Sequence, residues 1–207
     1  MKNPWEEILL ADYESHMRLD SVMQLQALNQ RMKEQLNRYP ASSVMILGVA
    51  GGNGLEHIAK DQYEKVYGVD VNRDYLREAA RRNPGLGGRL ECLRVDLTCE
   101  PLRLPRAELV IANLLVEYVG CACFQKVLLQ VEPRYVSCVI QADGDGGWVS
   151  PSPYQAVFDR LESVHRPIER RALESALSQI HYRIIRAVEH PLPNGKKLVQ
   201  LDFERRA

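Results

Sequence analysis

The chain lacks a net charge. Lysines plus arginines equal aspartates plus glutamates, 27 each, and the formal net charge is zero. A general nucleic-acid binder carries a basic excess; here only a local basic patch would serve that role, and no strong nucleic-acid signal is read. No apolar run approaches the roughly 20 residues of a membrane span, so no membrane partner is expected. The opening residues Met1-Lys-Asn-Pro-Trp-Glu-Glu7 hold no apolar signal-peptide core, and the expectation is a cytoplasmic protein. Cysteine is sparse, with Cys92, Cys99, Cys121, Cys123 and Cys138 an odd five. Cys121-Ala-Cys123 is not the Cys-x-x-Cys spacing of a zinc site, and no nearby His or Cys pair completes one. No metal is therefore expected, and the thiols read as reduced. Internal repeats and low-complexity tracts are absent. A length of 207 residues suits one domain with a small cap and allows a sizeable core.

What is present is an alternation of strand and helix patterns. Residues 5 to 38 read as two helices: Trp5, Ile8, Leu9 and Tyr13 follow helical spacing, as do Val22, Leu25, Leu28, Met32 and Leu36. Asp20-Ser21 reads as the N-cap of the second, and Pro40 closes the segment. A strand over 43–48 follows, then a helix over 53–62. A strand from Lys65 to Asp70 precedes a helix capped by Asn72. Strands are also read from Leu90 to Val95 and from Leu109 to Ala112, then a helix over about 120–131 and a strand from Tyr135 to Gln141. A Gly/Asp/Pro-rich stretch and one or two helices lead to about Ile180. The tail differs: His181 to His190 and Lys196 to Phe203 are strand-like, and Asn194-Gly195 between them signals a hairpin. Alternating βα units imply a parallel sheet with right-handed crossovers, into which the tail places one antiparallel strand. The expected fold is a doubly wound α/β sheet.

Glycines at 48, 51, 52 and 54 follow the strand-like Val44 to Leu47, and a helical pattern begins at Leu55. Glycine lets the main chain approach a ligand closely, and a helix N-terminus offers free N–H groups. A phosphate-binding P-loop needs Lys-Ser/Thr after its glycines, which is missing. A dinucleotide fingerprint needs Gly-x-Gly-x-x-Gly; from Gly52 it ends at His57, and from Gly48 its second glycine is Ala50. NAD is disfavoured.

Gly48-x-Ala50-x-Gly52-x-Gly54 resembles motif I of the class I S-adenosylmethionine-dependent methyltransferases. Further residues carry the resemblance: Val66-Tyr-Gly-Val-Asp70 at the end of strand 2, Leu93-Arg-Val-Asp96-Leu97 after strand 3, Ile111-Ala-Asn113 at the end of strand 4, and the terminal hairpin. The likeness covers about residues 43 to 205. It implies a seven-stranded sheet of order 3-2-1-4-5-7-6 with the last strand antiparallel. It also implies S-adenosylmethionine as cofactor and S-adenosylhomocysteine as product. On the same ground Gly48, Val49, Ala50, Gly52 and Gly54 would form the cofactor loop. Asp70 would take the ribose hydroxyls, Val71 would pack on the adenine, Asp96 with Leu97 would receive the adenine amino group, and Asn113 would floor the methionine part. Two positions depart from the family: Ile46 stands where many members have an acidic residue for the cofactor's amino group, and Ala50 replaces a glycine. Strand 4 ends in Asn-Leu-Leu-Val and not in the Asn/Asp-Pro-Pro-Tyr of enzymes that methylate base amino groups or glutamine amides.

A structural reading stands beside each functional one. Asp70 is also a candidate helix cap, Asp96 a turn residue before Thr98, and Asn113 a buried turn residue. Glu117 and Tyr118 follow strand 4 at the sheet's carboxyl edge, where open α/β folds bind ligands, or form a solvated first turn. Tyr13 and His16 lie in an N-terminal helix that either closes over the cofactor or packs on the sheet. His57 reads as surface, and Cys121 and Cys123 as core. Asp143-Gly-Asp145-Gly-Gly-Trp148 carries substrate contacts or is a linker. Arg166, Arg170 and Arg171 form a solvated basic face or meet an anionic group. The expected organisation is a helical cap over 1–40 and a cofactor-binding domain over 41–207. The expected activity is methyl transfer to a small molecule, with Glu117, Tyr118 and His16 as candidate catalytic residues. RNA or protein methylation, or cofactor binding without catalysis, are the alternatives. The sequence leaves the oligomeric state open.

Overall fold

The computed structural model describes residues 3–142 and 147–206. Asp143 and Asp145 of the acidic loop lie outside them. Seven strands form one sheet in the order β3-β2-β1-β4-β5-β7-β6. They are β1 (Ser43–Leu47), β2 (Lys65–Asp70), β3 (Leu90–Arg94), β4 (Leu109–Asn113), β5 (Tyr135–Ala142), β6 (Tyr182–Pro191) and β7 (Lys197–Arg205). The first five are parallel. β7 runs antiparallel to both β5 and β6. The helices are α1 (Leu10–Arg18), α2 (Gln24–Arg38), α3 (Arg73–Arg82), α4 (Val116–Val131), α5 (Gln155–Phe158) and α6 (Arg170–Gln179).

The strand sequences explain the layering. A central parallel strand is covered on both faces and so reads as a continuous apolar run. β1 and β4 do this, and alternate side chains divide between two cores. Met45, Leu47, Val110 and Ala112 join Phe124, Val127 and Leu128 of α4 and Leu173 and Leu177 of α6. Val44, Ile46, Leu109 and Ile111 face the other way, onto Met32 and Leu36 of α2 and Leu76 and Ala79 of α3. The sheet is therefore doubly wound. Its register pairs Leu47 with Val69 and with Ala112, so the chain leaves β1, β2 and β4 at one edge. Gly48, Asp70 and Asn113 are brought to that edge.

Several local expectations are corrected. No helix spans 53–62: a 3-10 turn covers Leu55–His57 and the chain then runs irregularly to β2. α2 fills that side of the sheet instead, and Met32 presses on Gly54, which has φ +92°. Asp20-Ser21 caps nothing. α2 starts after Met23, which is left-handed at φ 53° and makes no side-chain cap. The N–H groups of Val22 and Met23 close a turn onto the Leu19 carbonyl, both at 2.8 Å, and this fixes the later start. The helical spacing from Trp5 to Tyr13 spans two pieces, a 3-10 turn over Pro4–Glu7 and α1. α4 begins at Val116 but breaks at Gly120, whose φ of 77° and ψ of 157° are non-helical. Within residues 1–40, α1 brings Tyr13 to the sheet's carboxyl edge and α2 packs on the sheet face. Asn72 does cap α3, accepting from the N–H groups of Asp74 and Tyr75. The five cysteines are free.

Candidate active site

The carboxyl edge of β1, β2 and β4 opens on a cleft of about 830 Å³. Eight of the residues anticipated for the cofactor line it: Tyr13, Gly48, Ala50, Asp70, Val71, Asp96, Leu97 and Asn113. Asp70 ends β2, and its carboxylate is held from both sides. Oδ2 accepts from the Ala50 N–H at 3.0 Å and Oδ1 from the Asn72 N–H at 2.9 Å. The Val71 backbone N–H adds a further contact to the same carboxylate. Ala50 reaches Asp70 by adopting a left-handed φ of 47°, which its methyl tolerates at some strain. Burial pushes the Asp70 carboxyl up to about 6, against the lowering effect of its bonds to backbone N–H groups. Beside it, the Tyr75 hydroxyl is buried and has no hydrogen-bond partner among the described residues. A buried hydroxyl left this way is costly, and on a cleft wall it marks a place where a ligand would complete the bonding.

Asp96 serves two purposes. Oδ1 accepts from the N–H and hydroxyl of Thr98, at 2.9 and 2.6 Å, which makes the turn anticipated as its alternative role. Oδ2 accepts from Asn3 at 3.0 Å and lies on the cleft wall. Burial raises its carboxyl, but these hydrogen bonds outweigh burial and hold it below the usual carboxylate range. Asn113 forms a reciprocal amide pair with Gln35 of α2, 2.9 Å in each direction. Gln35 also donates to Ser137 at 2.9 Å. The strand end is thus both a site wall and a buried turn.

Val49, Gly52 and Gly54 do not line this cleft. Val49 lies against Gly68, Gly52 against Ala79 and Asn83, and Gly54 against Met32. They shape the turn from behind. A side cavity of about 510 Å³ shares Tyr13, Gly48, Ala50 and Asn113 with the cleft and extends to Glu14, Ile46 and Gly51. Glu14 is buried and forms a two-pronged pair with Arg82, 2.5 Å and 3.0 Å, across the glycine loop. The carboxylate missing at Ile46 therefore has a neighbour in the same cavity, supplied by α1.

The three catalytic candidates meet in an adjoining chamber of about 500 Å³. Tyr118 lines both chamber and cleft, as do Trp5, Tyr13 and Leu114, whereas His16 and Glu117 face the chamber alone. Glu117 is only 3% exposed, and its Oε1 accepts from the Gln141 N–H at 2.8 Å. His16 Nδ1 is 2.8 Å from Ser152 Oγ. Burial first, and the Lys196 charge second, hold its imidazole below the usual value. The remaining described walls come from Met17, Gln24, Gln141, Trp148, Val149, Phe158 and His165. Trp5, Tyr75, Gln35, Glu14 and Phe158 were not assigned to the site from sequence. Trp5 and Phe158 carry only a core-like apolar signal, and their meeting depends on contacts across 153 residues of chain. His57 bonds to Asn29 at 2.8 Å, outside cleft and chamber. Arg166, Arg170 and Arg171 line neither cavity; Arg170 pairs with Glu174 at 2.6 Å. Among the described residues there is no metal-binding cluster and no helix long and apolar enough to cross a membrane.

No protein-family model and no curated protein matches the sequence. Solved structures do match in fold. The N-methyltransferase NodS from Bradyrhizobium japonicum WM9, in complex with S-adenosylhomocysteine, superposes with a TM-score of 0.67 at 11% identity, over 94% of this chain and 96% of that one. The magnesium protoporphyrin IX methyltransferase from Synechocystis PCC 6803, with the same bound product, gives 0.65 at 12% identity over 94% and 87%. The [4+2]-cyclase SpnF gives 0.66 at 13% identity over 90% and 83%. With the strand order and the antiparallel β7, these likenesses establish that the chain has the class I methyltransferase fold.

Proposed function

We propose that this protein is a methyltransferase that uses S-adenosylmethionine to methylate a small molecule. The observation that carries the reading is the pairing of Asp70 with Tyr75 in the cleft. A carboxylate fixed by backbone N–H groups at the end of β2 and facing the cleft suits a ribose cis-diol, and charge-assisted bonds are the stronger kind. The unpartnered Tyr75 hydroxyl adds a further polar contact. Val71 and Leu97 supply apolar surface for a purine, and Asp96 an acceptor for its amino group. Glu14 beside the glycine loop offers a counter-charge for an ammonium. When bound, S-adenosylmethionine supplies a methyl group already activated by its sulfonium.

The chain's contribution is then alignment, which is worth up to about 7–11 kcal/mol in well-oriented systems. Tyr118, Trp5 and Leu114 form the wall between cleft and chamber and set the approach of an acceptor. Where the acceptor carries a proton, Glu117 and His16, which line the chamber, are the candidate bases. His16, held below the usual imidazole value, is the neutral base at pH 7. Among the described residues no Lys or Arg lines the chamber, which supports a small acceptor over RNA.

Calorimetry with S-adenosylmethionine and S-adenosylhomocysteine tests the reading. Micromolar binding by the wild type is expected, with at least a tenfold loss in Asp70→Ala. No binding by the wild type would overturn the assignment. Unchanged affinity in Asp70→Ala would overturn the ribose contact.

A further inference from the structure

Resting on the methyltransferase reading, we propose that Asp202 is a positioning residue: through Ser137 and Gln35 it fixes which atom of the Asn113 amide the cofactor meets. The sheet face that α2 covers is apolar along β1 and β4 but turns polar across β5, β7 and β6. Ser137 on β5 stands opposite Asp202 on β7, and Asp202 opposite Arg186 on β6. Gln35 of α2, and Tyr39 just beyond its end, reach onto them. Ser137 and Asp202 are fully buried. A buried carboxylate is costly unless it is paired and hydrogen-bonded, and apolar groups in its place are often as stable. Packing alone does not call for such a group.

Donors converge on Asp202 from every side. Its Oδ1 accepts from the Ser137 hydroxyl, and from Gln200 Nε2 at 3.0 Å. Its Oδ2 accepts from the Tyr39 hydroxyl at 2.8 Å and lies 3.5 Å from Arg186 Nη1. A carboxylate only accepts, so the Ser137 hydroxyl must donate to it. Ser137 has no second hydrogen, and its oxygen therefore faces Gln35 as an acceptor, taking the Nε2–H at 2.9 Å. The same Nε2 donates to Asn113 Oδ1, and Asn113 Nδ2 donates back to Gln35 Oε1, both at 2.9 Å. The relay thus runs from Asp202 through Ser137 and Gln35 to Asn113. Only Asn113 among the four lines the cleft.

A reciprocal amide pair has no preferred sense of its own. Turning both amides over exchanges oxygen for nitrogen on each and keeps both bonds. Asn113 lines the cleft and its side cavity, so the turn would exchange donor and acceptor where the cofactor lies. Ser137 breaks the symmetry. After the turn, Gln35 would aim Oε1 at an oxygen whose hydrogen is held by Asp202. Two acceptors would then face each other, or Asp202 would lose a donor. Either leaves a buried polar atom unpaired, which is the costly outcome in a low-dielectric interior. The anion on β7 therefore sets the sense of an amide on β4 that it does not touch.

Calorimetry with S-adenosylhomocysteine on the full-length protein tests the proposal. Ser137→Ala and Asp202→Asn are each expected to lose about five- to tenfold in affinity, the scale of one hydrogen bond. In Asp202→Asn the remaining oxygen stays with Arg186, which only donates, and the new amide nitrogen meets Ser137 and turns the relay over. Ser137→Thr keeps the hydroxyl and should bind nearly as the wild type. Tyr39→Phe is the control. It removes a donor from Oδ2 of the same carboxylate but lies off the relay, so denaturant stability should fall while affinity stays within about twofold. In an Asn113→Ala background, Ser137→Ala should cost no further affinity, because both act along one path. The proposal is overturned if either folded relay variant binds the product as the wild type does, if Tyr39→Phe weakens binding as much as they do, or if the Ser137→Ala loss persists in full without Asn113. Where neither relay variant folds, neutron diffraction from wild-type crystals decides: deuterium on the Ser137 hydroxyl is expected to point at Asp202, and its pointing at Gln35 would overturn the proposal. Failure of the wild type to bind S-adenosylhomocysteine would instead remove the methyltransferase reading on which the proposal stands.

Discussion

Asp70 and His16 are perturbed in opposite directions. Burial raises Asp70 to about 6, whereas a ribose diol donating to it would favour its ionised form. Cofactor binding below that pH must therefore expel a proton. S-adenosylhomocysteine affinity is expected to be flat above pH 6 and to fall by up to about tenfold per unit below it, with Asp70→Asn weaker and flat. Calorimetry from pH 5 to 8 reads this. Folding linkage at His16 has its own sign. The folded state favours the neutral ring, so as pH drops below about 6.5 the unfolded chain takes up protons first and stability is lost. Thermal melts at pH 7.5 and 5.5 should show a drop that His16→Gln reduces. That Asp70 and Asp96 line the cleft was legible in sequence because their positions follow from strand ends. That Val49, Gly52 and Gly54 face away from it was not. A glycine motif records that the backbone needs freedom, and Gly52 and Gly54 do have positive φ. It does not record which way each residue faces. Gly54→Ala would bring a Cβ to 2.5 Å from Met32 Cγ in a left-handed conformation. A loss of about 2–4 kcal/mol in chemical denaturation is expected.

Among the elements, α1 is the one that joins cleft, side cavity and chamber. Its Glu14 is clamped to Arg82 over Gly51, where any Cβ would sit 2.6 Å from Glu14 Oε1 and 2.9 Å from Arg82 Nη1. Arg82→Ala would leave a buried carboxylate unpaired. The cost should be about 1–3 kcal/mol, below that of a fully buried pair because Arg82 is partly exposed. Hydrogen exchange should quicken across α1 and leave β1 and β4 unchanged. The strands and α3 were legible because each carries its own periodicity and its own cap. The absent helix after β1 was not. The apolar spacing from Leu55 onward suits a helix, but α2, from earlier in the chain, already covers that face of the sheet. Local pattern yields there to a long-range contact.

Over the whole molecule, strand order followed from the βα alternation and the Asn-Gly hairpin, because parallel crossovers leave few topologies. The chamber was not legible. Its described walls come from residues 5 to 24, 114 to 118, Gln141, Trp148 and Val149, and from Phe158 and His165, which no spacing rule joins. The fold also hosts a cyclase as well as methyltransferases, so activity must be argued from the site. Removing residues 1–18 should keep the far-ultraviolet circular dichroism of an α/β protein, since both faces of β1 and β4 are covered by elements beyond that point. It should abolish S-adenosylhomocysteine binding, because Trp5 and Tyr13 leave with it. Those two residues, with Leu114 and Tyr118, are a partition common to both cavities. Whatever settles on one side changes the wall seen from the other. Such coupling is reciprocal by thermodynamic necessity. If S-adenosylhomocysteine tightens an acceptor, that acceptor tightens S-adenosylhomocysteine by the same factor, so product inhibition deepens as acceptor concentration rises.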